Sequence, residues 1–257
     1  MPRQPLRELL LAILLVSIGA CQTESDLQLE TYPENARLIR ISSYAGMTMD
    51  DNFAVEEYEY ASNGKLIKTT RPFYNNGKPA GLAQYDVYEY DDQGRLISIA
   101  SHHSNQNQGF INLTNTYITY DPKGLKVKEK LEYPQINAEE QVLYQYDGLG
   151  RLIRKDHFDA SQKLQRYSLF EYNPQGQLVK ERVHDSNRQV MRTHLLHYEK
   201  GNNRLTEIFA GDKEDLLRRV RKTFDRNNNL ILLQSEEIAV YSSATSFTQK
   251  YEYDRNR

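Results

Sequence analysis

Among its 257 residues the sequence holds one cysteine, Cys21, and no tryptophan. A single thiol excludes a disulfide framework and any cysteine-based zinc or iron–sulfur site, since each draws several ligands from one chain. Charge of one sign is lacking as well: 33 basic side chains stand against 35 acidic ones, for a formal net charge of −2. Nucleic acid is therefore not an expected partner, because its binding rests on neutralising many phosphates. Glycine (13) and proline (8) are too sparse for a collagen-like or low-complexity chain. The sequence also has no Gly-x-Ser-x-Gly, no His-Glu-x-x-His and no phosphate loop. No catalytic residue, metal or cofactor is expected from these absences. What the chain does have is tyrosine, 19 residues against 8 phenylalanines.

At the start, Arg3 and Arg7 precede an apolar and small-residue run from Leu9 to Ala20, too short to span a bilayer as a stable helix. This reads as a secretion signal, residues 1–20, that is removed. The run closes on Ile18-Gly19-Ala20-Cys21, which resembles the lipobox of bacterial lipoproteins. The resemblance implies lipid attachment at Cys21 and anchoring by acyl chains, each buried methylene contributing about 0.8 kcal/mol. Residues 21–31 then form a lipidated cysteine and polar tether. Gln22 after the cysteine fits the outer membrane by the lipoprotein sorting pattern, so the expected location is the bacterial cell envelope, lipid-anchored at its outer membrane.

Residues 32–257 are a repeat. Tyr60-Ala-Ser-Asn-Gly-Lys-Leu-Ile, Tyr90-Asp-Asp-Gln-Gly-Arg-Leu-Ile, Tyr120-Asp-Pro-Lys-Gly-Leu-Lys-Val, Tyr146-Asp-Gly-Leu-Gly-Arg-Leu-Ile and Tyr172-Asn-Pro-Gln-Gly-Gln-Leu-Val align directly. Weaker copies start at Tyr32, at Tyr198 with one inserted residue, at Phe224 with Asn228 in the glycine slot, and at Tyr253. From 120 to 224 the key aromatics recur every 26 residues.

Each copy carries the chemistry of a hairpin. Asp or Asn after the aromatic can bond its own turn, Pro122 and Pro174 suit a fixed negative φ, and Gly64, Gly94, Gly124, Gly150 and Gly176 sit where a left-handed residue closes a bulged turn. In this register Tyr90 lies opposite Leu96 and Glu89 opposite Ile97. Just before the key aromatic the chain alternates, with apolar Tyr58, Tyr88, Tyr144 and Tyr251 two residues ahead and polar Glu59, Glu89, Gln145 and Glu252 one ahead. That is the period of a strand. Loops such as Asn75-Asn76-Gly77 and Asp185-Ser186-Asn187 supply a second turn, so each unit gives about two strands of 7 to 9 residues.

The pattern Tyr-x-Tyr-Asp-x-x-Gly-Arg-Leu, complete at Tyr88–Leu96 and Tyr144–Leu152, resembles the YD-repeat, or RHS-repeat, family. The family builds long antiparallel sheets of hairpins, and its large toxin members wrap them into a shell around a cargo. This chain has too few units for such a shell and no cargo domain, so toxin activity is not implied, although a fragment related to an RHS shell is an alternative. The Asn63-Gly64-Lys65 hairpin is also similar to MORN-like repeats.

The expected fold is all-β, a repeat of antiparallel hairpins in one long, twisted sheet that curls into an open trough or partial barrel. Its Tyr/Leu face, with Tyr58, Tyr60, Tyr88, Tyr90, Tyr144, Tyr146, Tyr172, Tyr198, Tyr251 and Tyr253, is either core or a binding stripe; the preference for Tyr over Phe suggests that the hydroxyls reach water or a partner. The polar face reads as solvated. Asp225-Arg226-Asn227-Asn228-Asn229 fits a calcium loop at several positions but has Leu230 where glycine is required, and the repeat explains it better. His102 with His103, and His194 with His197, have no metal-site spacing on a strand. The expected function is a non-catalytic, envelope-anchored binding or scaffold module for a carbohydrate or an envelope protein; a surface carbohydrate hydrolase would need one unrepeated carboxylate pair in a cleft.

Overall fold

The turns set the local structure. In Asp91–Arg95 the Asp91 amide donates to the Arg95 carbonyl (2.9 Å) and the Gly94 amide to the Asp91 carbonyl (2.9 Å). Asp91 Oδ1 accepts from the amides of Gln93 (3.0 Å) and Arg95 (2.8 Å). The same four bonds recur from Asp121, Asp147, Asn173 and Asp225. The Asp225 segment is thus a hairpin turn, with Asn228 at φ 64° in the glycine slot. Two second-type turns, from Asp159 and Asp185, use the same bonds with Gln162 (φ 59°) and Arg188 (φ 70°) in that slot. Gly150 stands at φ 78° with open space where a Cβ would be, so Gly150→Val carries a purely conformational penalty of about 1 kcal/mol or more. An unchanged urea midpoint would remove the left-handed assignment.

The computed structural model describes residues 37–45, 52–75, 78–105, 109–200, 203–213, 215–238 and 246–254. The signal, Cys21 and the tether lie outside the described residues, as do Asn76 and Gly77. The strands are β1 (Arg37–Ala45), β2 (Asn52–Tyr60), β3 (Leu66–Asn75), β4 (Lys78–Tyr90), β5 (Leu96–Asn105), β6 (Gly109–Tyr120), β7 (Lys126–Tyr133), β8 (Ala138–Tyr146), β9 (Leu152–Phe158), β10 (Leu164–Tyr172), β11 (Leu178–Asp185), β12 (Val190–Tyr198), β13 (Arg204–Ala210), β14 (Leu216–Phe224), β15 (Leu230–Glu237) and β16 (Phe247–Asp254). Each pairs antiparallel with its neighbours in sequence. β1 also pairs with β16, from Arg37↔Asp254 to Ala45↔Phe247, and the sheet closes into a 16-strand barrel.

Closure corrects the expected open trough or partial barrel. A curled sheet that stops short leaves two edges of unpaired amides and carbonyls and one uncovered apolar face; pairing the first strand with the last removes both edges and turns that face inward. Register differs in detail too. Tyr90 faces Leu96, but Glu89 faces Ser98 because Ile97 is taken up in a bulge. At Tyr198 the closing bond keeps the ordinary spacing, Glu199 amide to Asn203 carbonyl (2.8 Å), so Arg204 takes the slot opposite Tyr198, and the inserted residue makes up the bulge: His197 faces Leu205 with no register break.

Inside and outside have different composition. Leu38, Ile41, Ile208, Val220, Phe224, Leu230, Leu233 and Tyr251 form one buried inward cluster on β1 and β13–β16, and Tyr144, Leu152 and Phe170 form a second on β8–β10. Outward positions carry charge around the wall, tied by ion pairs Arg40–Glu57 (3.2 Å), Lys130–Glu139 (2.9 Å), Arg154–Asp156 (2.8 Å), Arg219–Glu207 (3.2 Å) and Lys250–Glu252 (3.2 Å).

Candidate functional site: the charged inner sector

The key tyrosines point inward, and their hydroxyls are used within the wall. Tyr90 donates to the Leu66 carbonyl (2.9 Å), Tyr120 to Leu96 (2.8 Å), Tyr146 to Lys126 (2.7 Å), Tyr172 to Leu152 (2.9 Å), Tyr198 to Leu178 (3.0 Å) and Tyr253 to Leu230 (2.8 Å). Tyr60 stands in the same relation to Leu38. Each key tyrosine thus staples its unit to the leucine slot of the preceding unit, a bond contributing about 0.5–1.5 kcal/mol. Arg37, Lys65, Arg95 and Arg151 lie over the rings of Tyr60, Tyr90, Tyr120 and Tyr172 at 4.8–5.7 Å. Tyrosine in place of phenylalanine is therefore explained by the backbone of the neighbouring repeat, not by water or a partner.

The tyrosines two residues earlier serve inward polar groups. Tyr58 donates to Glu56 (2.7 Å), Tyr144 to Glu129 (2.6 Å) and Tyr251 to Gln249 (3.1 Å), while Tyr88 lies 3.3 Å from the Thr69 hydroxyl. Burial first, then the Asp86 carboxylate, push Tyr88 up to about 12 against the Thr69 bond.

These groups belong to inward cross-strand pairs that recur once per unit: Ile41–Glu56, Thr69–Asp86, Ile99–Thr116, Glu129–Val142, Lys155–Ser168, Glu181–His194, Thr206–Val220 and Leu233–Gln249. One structural slot is apolar on one side of the barrel and charged on the other. On β2–β4, Arg71 bridges Glu56 and Asp86 (2.9 Å to Asp86), and Asp86 also accepts from Thr69 (3.2 Å). On β7–β12, Glu129 pairs with Lys126 (2.6 Å), and Glu181, 1% exposed, pairs with His194, 3% exposed, at 3.0 Å.

Burial raises the Glu181 carboxyl, yet the His194 bond and charge, the Ser168 hydroxyl and the Lys155 ammonium outweigh it and hold the group below its ordinary range. Glu129 behaves alike: burial acts upward, and Lys126, Tyr144 and Lys155 carry it downward. Burial first raises Glu140 near the β8 end, and the Asp159 carboxylate adds to it against Tyr133 and Arg166. His157 is driven down to about 2, by burial first and then by Arg166 and Lys155. Unfolded, it takes up a proton near pH 6.5; folded, it stays neutral. Stability owed to His157 is thus complete above pH 6.5 and falls by about 1.4 kcal/mol for each pH unit below it. Urea midpoints at pH 7, 6 and 5 should fall for the native chain and fall less steeply for His157→Gln; parallel slopes would contradict the assignment.

The remaining histidines follow the strand period. His103 and His194 point inward and His102, His184 and His197 outward; His102 stacks on Tyr85 and His184 on Tyr167, with ring centroids 4.5 and 4.6 Å apart. Sequence reasoning missed the inner charges because it assigned the polar stripe as a whole to solvent. The signal was present at the residues four and six before each key aromatic, which the two-residue period places on the tyrosine side.

No family model and no curated protein matches the sequence. Among solved structures the chain is similar to that of TcdB2-TccC3-Cdc42, with a TM-score of 0.36 and 19% identity over 77% of this chain, which spans 10% of that one. It is also similar to a porin-like protein from Bacteroides uniformis (TM-score 0.42, 10% identity, 84% of this chain and 96% of that one). A porin-like protein from Bacteroides vulgatus gives 0.38 and 14%, over 86% of this chain and 100% of that one. With TM-scores below 0.5, these distant likenesses carry no conclusion about function.

Proposed function

We propose that this chain is an envelope-anchored lipoprotein whose barrel stands in water and serves as a non-catalytic binding or scaffold module, with a carbohydrate or another envelope protein as partner. The observation that carries the reading is the outer face. A membrane-crossing barrel needs an outward apolar band about 25 Å tall, and each Arg or Lys at its midplane costs about 2–4 kcal/mol. Here the outward positions include Glu57 and Glu59 on β2, Lys128 and Lys130 on β7, Arg154 and Asp156 on β9, Lys180 and Arg182 on β11, and Arg219 and Arg221 on β14. Such a wall suits water, and attachment then falls to Cys21.

Of the inward carboxyls, Glu129 and Glu181 are held below their ordinary range by cations and hydroxyls, as suits fixed charges in a wall, while Glu140 is raised by burial.

Cys21→Ser tests the anchor. The native protein should incorporate radiolabelled palmitate and sediment with membranes, and the variant should do neither. Equal labelling and sedimentation would overturn the lipoprotein reading.

A further inference from the structure

Six residues before the key aromatic, three successive 26-residue units place an arginine: Arg166 on β10, Arg192 on β12 and Arg218 on β14. Each is the third residue of its strand. They share a face with Ser168, His194 and Val220, all buried, and so point inward. Their strands begin at the second-type turns, which sets the arginines just inside the barrel end opposite the glycine turns. Alternate strands put consecutive members about 10 Å apart across the sheet.

The ends of the row are compensated and its centre is not. Arg218 pairs with Glu237 (3.0 Å), and Arg166 lies 3.5 Å from the His157 Nδ1 with Glu140 on the neighbouring side. Arg192 has no hydrogen bond or ion pair among the described residues; its cross-strand neighbours are Val183 and Ala210. Burial first, then Arg218 and Arg166, pull its guanidinium below the ordinary range against the opposing Glu237 carboxylate. Two residues along β12, the buried Nε2 of His194 also lacks a partner. Carboxylates stand around the row, with Asp185 opposite Arg166 and Glu237 on Arg218, but the central guanidinium is flanked by like charges and touches none of them, which leaves it open to an added anion.

We propose that Arg166, Arg192 and Arg218 form an anion-binding row inside the barrel mouth that takes an oligomer bearing phosphate or carboxylate groups at intervals. This deepens the binding-module reading by naming the chemistry of its ligand. Guanidinium forks match both groups in bidentate fashion, and the regular pitch of one cation per unit suits repeated charges more than a single ion.

Calorimetry on the full chain in mild detergent, with long-chain polyphosphate and with oligogalacturonate, separates the two sources. One of these polymers should bind, more tightly than inorganic phosphate. Arg192→Gln should weaken that binding at least tenfold, Arg192→Lys should weaken it less, and Arg221→Gln on the outer face should change it less than twofold. The thermal midpoint of Arg192→Gln should not fall, because no partner is orphaned. Equal weakening by Arg192→Gln and Arg221→Gln, or no binding of either polymer by the native chain, would overturn the site. Neither result depends on whether Cys21 carries lipid.

Discussion

Replacing Tyr144 by alanine should lower stability by about 3–5 kcal/mol, while Gln145→Ala should change it by about 1 kcal/mol at most. Tyr144 is buried against Leu152 and Phe170 on the inner face, and its hydroxyl donates to Glu129. Truncation therefore opens a cavity and strips a buried carboxylate of one donor, two costs that add. Gln145 is the next residue on the strand, exposed on the outer face, where it donates to Asp156 at 3.2 Å, a carboxylate also held by Arg154. Asp156 thus keeps a partner when Gln145 is lost. Denaturant melts of the two variants decide which face is interior, and a large loss for Gln145→Ala with none for Tyr144→Ala would reverse the inside and outside of the barrel.

Turns were legible from sequence because their chemistry is local. Asp91 and Gly94 are enough to specify a type of turn, and the same pair recurs in unit after unit. The strand count of about 16 followed from two turns per unit. Closure was not legible, since it joins Arg37 to Asp254 and no residue near either end encodes a partner more than 200 positions away. The inner charges were hidden for a different reason. Glu181, His194 and Arg192 occupy slots that Ile41, Val142 and Gln84 fill in other units, so a consensus over the repeats averages them out. What distinguishes this barrel lies in departures from its own repeat, whereas the repeat itself only builds the wall. The tyrosine hydroxyls show the converse: read singly, each suggested water or a partner, and only the pairing of one unit with the next revealed the leucine-slot carbonyl as acceptor.

Glu181→Ala should be among the most damaging single changes, at about 3–5 kcal/mol, because it leaves His194 and Ser168 buried beside an empty position. The paired exchange Glu181→Ile with His194→Val should recover a large part of that loss by contrast, the remainder being the carboxylate that buried Ser168 and Lys155 no longer face. The exchange restores to β11 and β12 the kinds of residue that this slot already carries as Ile41, Ile99, Val142 and Val220, and a buried ion pair replaced by well-packed apolar side chains commonly loses nothing. The pH dependence tells the same story. Glu181 is held below its unfolded range, so its contribution is complete above about pH 4.5 and is lost as pH falls through the lower, folded value. Below about pH 4.5 the double variant should therefore lose stability less steeply with acid than the native barrel, while at pH 7 it should stand well above Glu181→Ala. If the single and the double variants proved equally unstable at pH 7, the pair would be holding the wall together through something other than mutual compensation, and the charged sector would have to be reckoned as structure and not as a site spared for binding.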